Sequence, residues 1–149
     1  METQVQNTTD QQFVIFRMNN ELCGIDIQKI TTIEKLINIT RVPKAPEAIE
    51  GVTNLRGEII PVIELAKKLN MASNEPTDNT RIIIFRIDDI SVGFIVDEVV
   101  EVVTLKPEQI EGISQVTSDI SLDYIYGIGK LDEQRIVTLL KLDKLVSFK

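Results

Sequence analysis

IEGVTNLRGEIIPVIELAKKL, residues 49–69, is the stretch whose reading decides how this chain folds. Gly51 to Leu55 is β-branched and alternating, Arg56-Gly57 supplies a turn, and Glu58 to Leu65 runs back as a second strand. The segment therefore reads as a hairpin, because Gly57 accepts the positive φ of a tight turn without a Cβ clash. Arg56 is then held at the rim of a two-stranded element. Its planar fork has less freedom to lose there than on a loose loop, and it suits the carbonyls and carboxylates of a partner. Ala66 to Leu69 continues into a short helix.

Upstream, Arg41-Val42-Pro43-Lys44-Ala45-Pro46-Glu47 is punctuated by prolines that cannot donate to a ladder, so it reads as an extended surface loop. Before it, QKITTIEKL (residues 28–36) has a spacing that permits helix, but the β-branched Thr31-Thr32-Ile33 favours a strand. The opening FVIFRM, Asn19-Asn20 and ELCGIDI form a further hairpin about a two-residue turn. Downstream, NMASNEPTDNT (residues 70–80) is polar and Pro-containing and marks a boundary between two halves.

The second half repeats the first. Sliding by 69 positions sets Ile15-Phe16-Arg17 over Ile84-Phe85-Arg86, Asn19-Asn20 over Asp88-Asp89, and Gly24 over Gly93. Further on, Ile49-Glu50-Gly51-Val52 is echoed by Ile125-Tyr126-Gly127-Ile128, and residues 59–65 by 136–142, with one residue inserted at the turn. Each half is a hairpin, a long strand, a loop and a closing hairpin with a short helix, the last over residues 141–146. Short strands at regular spacing predict small barrels, since closure removes exposed edges. The subdomains would span about 12–75 and 76–149, with strand exchange between them left open, and a groove between them. Residues 1–11 read as a disordered polar tail. At the closing turn the first half has Arg56-Gly57 where the second has Asp132-Glu133-Gln134, so this arginine is expected once, as a functional asymmetry.

Composition narrows the chemistry. Of 149 residues, 43% are hydrophobic and 26% charged, enough for a packed core. Net charge is −7, which argues against nucleic acid and against direct contact with an anionic membrane. There is no histidine, so imidazole acid-base work and phosphohistidine relay are excluded. The acidic neighbours Asp88-Asp89, Asp97-Glu98 and Asp132-Glu133 leave a small acidic hydrolase as the rival reading. Adjacent strand residues point to opposite faces, however, and turn acids serve local hydrogen bonds. Tyr126-Gly127-Ile128-Gly129-Lys130 lacks the spacing and hydroxyl of a phosphate loop. No calcium or zinc spacing occurs, and no cofactor or metal is expected. The single cysteine, Cys23, reads as a small buried hydrophobe in a reducing compartment. No apolar run approaches the ~20 residues needed to cross a bilayer.

These residues resemble the CheW family of bacterial chemotaxis coupling proteins, from about Gln12 to Phe148. The resemblance is carried by FVIF, Gly24-Ile25-Asp26-Ile27, Gly51-Val52-Thr53-Asn54-Leu55-Arg56-Gly57, Ile60-Pro61-Val62, Gly93-Phe94-Ile95-Val96-Asp97 and Ile125-Tyr126-Gly127-Ile128-Gly129. It implies an all-β fold with short helices, built as two intertwined five-stranded SH3-like β-barrels. It also implies a non-enzymatic cytoplasmic scaffold joining chemoreceptor cytoplasmic tips to the regulatory domain of the chemotaxis histidine kinase in receptor arrays. A detached kinase regulatory barrel is the alternative within the resemblance. Carried across, the receptor-binding set is Ile30, Thr32, Ile33, Asn54, Arg56, Gly57 and Val99. Relatives often have glutamate at the Thr32 position. The kinase-binding set is Val42, Pro43, Pro46 and Ile49.

Overall fold

The computed structural model describes residues 9–36, 38–45, 48–112 and 120–146. Strands run as β1 (Gln11–Met18), β2 (Glu21–Asp26), β3 (Ile30–Lys35), β4 (Ile49–Leu55), β5 (Glu58–Glu64), β6 (Arg81–Ile87) and β7 (Ile90–Val96). They continue as β8 (Glu98–Leu105), β9 (Ile110–Glu111), β10 (Ile125–Lys130) and β11 (Ile136–Leu140), with short helices at Leu65–Lys68 and Leu142–Leu145. The two opening hairpins turn on two residues each, pairing Met18 with Glu21 and Ile87 with Ile90. Asn19, Asp88 and Asp89 take the positive φ that such turns demand and that Asn and Asp tolerate best. Residues 28 and 29 depart from the expected strand. The Asp26 side chain accepts the Gln28 N–H at 2.9 Å, and Ile27–Lys29 coils into a 3₁₀ turn instead. Residues 1–8 of the expected tail lie outside the described residues, and β1 begins at Gln11.

All-β architecture with short helices holds, but the barrels are not closed. One sheet is ordered β8-β1-β2-β11-β10-β9 and the other β3-β6-β7-β5-β4. Closing the second sheet would require β3 to pair with β4. In place of that ladder are a single Thr40–Val52 bridge, a Thr53 Oγ1 bond to the Asn38 carbonyl at 2.8 Å, and an ion pair between Glu34 and Arg56. Thr40 and Val52 exchange two backbone bonds of 2.8 Å, and the other two links across the gap are made by side chains.

The internal repeat is visible in the topology. Each half donates its opening hairpin to the sheet made by the other half's remaining strands: β1 and β2 sit among β8 to β11, and β6 and β7 among β3 to β5. The exchange is sealed by two corresponding parallel pairings, Gly24 beside Leu139 and Gly93 beside Val62. Irregularities repeat as well, with register shifts at Ile30/Thr32 and Ile15/Phe16, and at Ile49/Gly51 and Ile125/Gly127. At the latter pair a neighbouring carbonyl crowds the glycine. A Cβ on Gly51 would lie 2.2 Å from the Thr40 oxygen, and one on Gly127 2.8 Å from that of Glu111.

Apolar runs such as FVIF and IIIF have no polar alternation because both faces of β1 and β6 are covered. Phe13 and Ile15 pack with Leu105, Val137 and Leu139 inside the first sheet, and Ile82 and Ile84 with Ile60 inside the second. The largest core lies between the sheets, where Phe16, Met18 and Ile25 meet Ile63, Phe85 and Phe94, capped by Leu65 and Leu145 from the helices. The Phe85 and Phe94 rings are 4.5 Å apart and tilted by 52°. Such pairs add roughly 0.5–1.5 kcal/mol to their area burial.

Candidate functional site

The β4–β5 turn presents Arg56 as its sequence predicts, with one difference in backbone. Arg56 itself has φ +53° and Gly57 φ +90°, so both turn residues are left-handed, and the Asn54 Oδ1 accepts the Gly57 N–H at 2.9 Å. Arg56 Nη2 donates to Glu34 Oε2 at 3.3 Å, and Thr32 Oγ1 donates to the same oxygen at 3.0 Å. The arginine side chain is 71% exposed and that of Glu34 21%. Most of the guanidinium fork therefore faces solvent, and the pair itself contributes at most about 1 kcal/mol. Glu34 was not anticipated. The signal was its position two residues after Thr32, which places both side chains on one face of a strand.

Asn54, Arg56, Gly57 and Thr32 thus gather at one rim, whereas Ile30, Ile33 and Val99 stand elsewhere. The register shift in β3 is the cause. Ile30 lies opposite Phe85 and Ile33 opposite Ile83, both of the inter-sheet core, whereas Thr32 lies opposite Ile84 of the second sheet's own core. Directly opposed residues share a face. Ile30 and Thr32, expected to line one surface, therefore point to opposite sides of β3. Val99 lies opposite Phe16. Ile30 and Val99, corresponding positions of the two halves, are both partly buried against the inter-sheet core, and Ile33 is exposed.

In the connection before β4, Val42 and Pro43 are exposed, and a turn at Lys44 is joined by the Ala45 N–H to the Val42 carbonyl. Pro46 lies outside the described residues. Ile49 packs partly buried against the inter-sheet core, so it supports this surface more than it presents it. Glu50 sits between Arg41 at 3.7 Å and Lys67 at 4.0 Å.

Two of the three acidic pairs supply carboxylates to structural bonds. Asp97 accepts the Asn19 N–H and the Asn74 side-chain amide, and Glu98 pairs with Arg17. Asp132 accepts the Gln134 and Arg135 N–H groups at 2.8 Å each, and the Arg135 Nε at 2.9 Å. These bonds hold its carboxyl below the usual range. Arg135 also donates to Glu101 on β8 at 3.1 Å. The expectation that the rim arginine occurs once is corrected here: Arg135, displaced by the inserted turn residue, reaches an edge-strand glutamate as Arg56 does, but is locked by a second carboxylate. Cys23 is buried in the inter-sheet core, which pushes its thiol far up. Residues 126–130 lie within β10, not in a phosphate loop. Among the described residues no group of His, Cys, Asp or Glu could hold a metal, and no helix is long and apolar enough to cross a membrane.

An all-β scaffold with an open arginine rim, an apolar seam between sheets, and Asp97, Glu98 and Asp132 engaged in structural bonds has the build of a protein-binding module. The family model for the CheW-like domain matches residues 12–149. The chain is 37% identical over 140 residues to a chemotaxis protein CheW of Klebsiella aerogenes, covering 94% of this chain and 84% of that one. It is 41% identical over 120 residues to a chemotaxis protein CheW of Bacillus subtilis, covering 78% and 77%. The crystal structure of the scaffolding protein TtCheW from Thermoanaerobacter tengcongensis superposes with a TM-score of 0.86 at 35% identity, covering 95% of this chain and 90% of that one. The chain belongs to the CheW-like family, and is a non-enzymatic chemotaxis scaffold protein.

Proposed function

We propose that this chain joins the cytoplasmic tip of a chemoreceptor to the regulatory domain of the chemotaxis histidine kinase and so helps build receptor arrays. The observation that carries the receptor half is Arg56, held by a left-handed turn with one exposed contact to Glu34, so that its remaining donors are aimed outward. A receptor helical hairpin would lay apolar side chains on the Ile30, Ile33 and Val99 seam while its carboxylates or carbonyls meet Arg56, with Thr32, Asn54 and Gly57 framing the rim. Val42 and Pro43, with Ile49 beneath them, form the described part of the kinase-facing surface, to which the family resemblance adds Pro46. Each contact can be weak. Micromolar pairs, worth roughly −8 kcal/mol, suffice when an array links many of them. The protein would work in the cytoplasm, recruited to receptor arrays, with no cofactor, no nucleic acid and no membrane contact of its own.

The test is reconstitution. Purified protein, a receptor tip fragment and a kinase regulatory domain should co-elute as one ternary species from a sizing column. Arg56→Glu should retain the kinase domain and lose the receptor fragment. Loss of neither partner from a folded variant would remove Arg56 from the contact.

A further inference from the structure

The chain crosses from one sheet to the other at two corresponding points. Between β2 and β3 the passage is the 3₁₀ turn Ile27–Lys29, capped by Asp26. Between β7 and β8 it is one residue, Asp97. The first seam residue beyond each passage is Ile30 in one case and Val99 in the other, and both border the inter-sheet core. The two seam walls therefore inherit their positions from two different devices.

Asp97 is fastened from several directions. Its N–H donates to the Arg17 carbonyl at 3.2 Å, while its Oδ2 accepts the Asn19 N–H and the Asn74 Nδ2, each at 2.8 Å. The Asn74 Nδ2 also donates to the Asn19 Oδ1 at 2.9 Å, and the Asn19 Nδ2 to the Ala72 carbonyl at 3.1 Å. One carboxylate thus ties together the β1–β2 turn, the 70–80 connection between halves and the entry to β8. Bonds to an ionised acceptor are the stronger kind. The next residue, Glu98, pairs with Arg17, and Val99 then takes its place opposite Phe16, just before the β8 irregularity.

We propose that Asp97 is a positioning residue for receptor binding: by clamping the one-residue passage to the β1–β2 turn and to Asn74, it sets where Val99 stands at the seam. The inference rests on the receptor-seam reading above. It differs from a general folding role because it acts on one wall of one surface, two residues away. A loosened passage would let the start of β8 shift while the inter-sheet core stays packed.

A double-mutant cycle tests it, with binding of the receptor tip fragment and of the kinase regulatory domain measured separately by calorimetry. Asp97→Ala should weaken tip binding roughly tenfold, a difference easily resolved. Once Val99→Ala is present, adding Asp97→Ala should change it less than about twofold, because the two residues act as one unit. Kinase-domain affinity should stay put, and Asp97→Asn, which keeps an oxygen acceptor, should recover most of the loss. Additive effects, or equal losses for both partners, overturn the positioning role. If Asp97→Ala does not fold, Asn74→Ala removes one exposed donor to the same carboxylate, and additivity with Val99→Ala in that cycle overturns the inference equally. Losses at Val99 and Arg56 with none at Asp97 overturn only the positioning role. Full tip binding by Val99→Ala and by Arg56→Glu overturns the receptor-seam reading itself.

Discussion

Arg56→Asn separates stability from binding at one residue. Arg56 has φ +53° at the first position of a two-residue turn whose second residue, Gly57, has φ +90°. Asn-Gly is the favoured pair for such a turn, while an arginine held left-handed carries a penalty of roughly 1 kcal/mol. The substitution relieves that strain and gives up the 3.3 Å contact to a side chain 71% exposed, which is worth about 0.2–1 kcal/mol. The net change in folding should lie between about zero and +1 kcal/mol, a rise in Tm of up to ~4 °C for a chain of this size. Binding should move the other way. Losing charge-assisted bonds to a partner costs about 1.5–3 kcal/mol, so receptor-tip affinity should fall roughly ten- to hundredfold. Thermal melts followed by circular dichroism and titration calorimetry with a tip fragment give the two numbers. A fall in Tm of more than ~3 °C would mean that the Arg56, Glu34 and Thr32 contacts hold the fold together. Unchanged affinity in a folded variant would show that strain is kept at this turn for some other reason.

Gly51→Ala should destabilise by about 2 kcal/mol or more in urea titration, since its Cβ would stand 2.2 Å from the Thr40 oxygen and must break the Thr40–Val52 bridge. A wild-type midpoint would mean that this segment is not docked. Burial and the nearby Glu50 push the Glu64 carboxyl up, against the opposing pull of Lys67. The native state then keeps that proton to higher pH than the unfolded chain, so stability falls as pH rises through the window above the ordinary glutamate pKa. Glu64→Gln should gain stability at neutral pH and converge with wild type below about pH 4, and parallel pH profiles of the unfolding free energy would contradict this. Cys23 should react with a thiol reagent only on unfolding, tracking the denaturation curve, and fast modification of the native protein would place it outside the core.

The loop before β4 and the rim at Arg56 differ in how well they could be foreseen. Arg56, Asn54 and Gly57 lie within one turn, so residue chemistry alone placed them. Ile49 sits at a strand end next to a predicted surface loop, and only the packing of the inter-sheet core draws it inward. Glu34 and Arg135 went unforeseen as rim partners because each meets its partner across at least 22 positions of sequence.

What the amino-acid sequence determined by itself is local: two-residue turns at Asn19-Asn20, Asp88-Asp89 and Arg56-Gly57, the strands between them, and a plan repeated at 69 positions. These follow from backbone preference and near-neighbour patterning, which need no distant partner. Tertiary structure decided which half's hairpin completes which sheet, left both sheets open, and turned Ile30 and Thr32 to opposite faces. A period of two tells only that alternate side chains part company; one unpaired residue such as Thr31 reverses the sides for the rest of its strand. That reversal depends on the neighbouring strand's ladder, which the chain acquires only when the two halves come together.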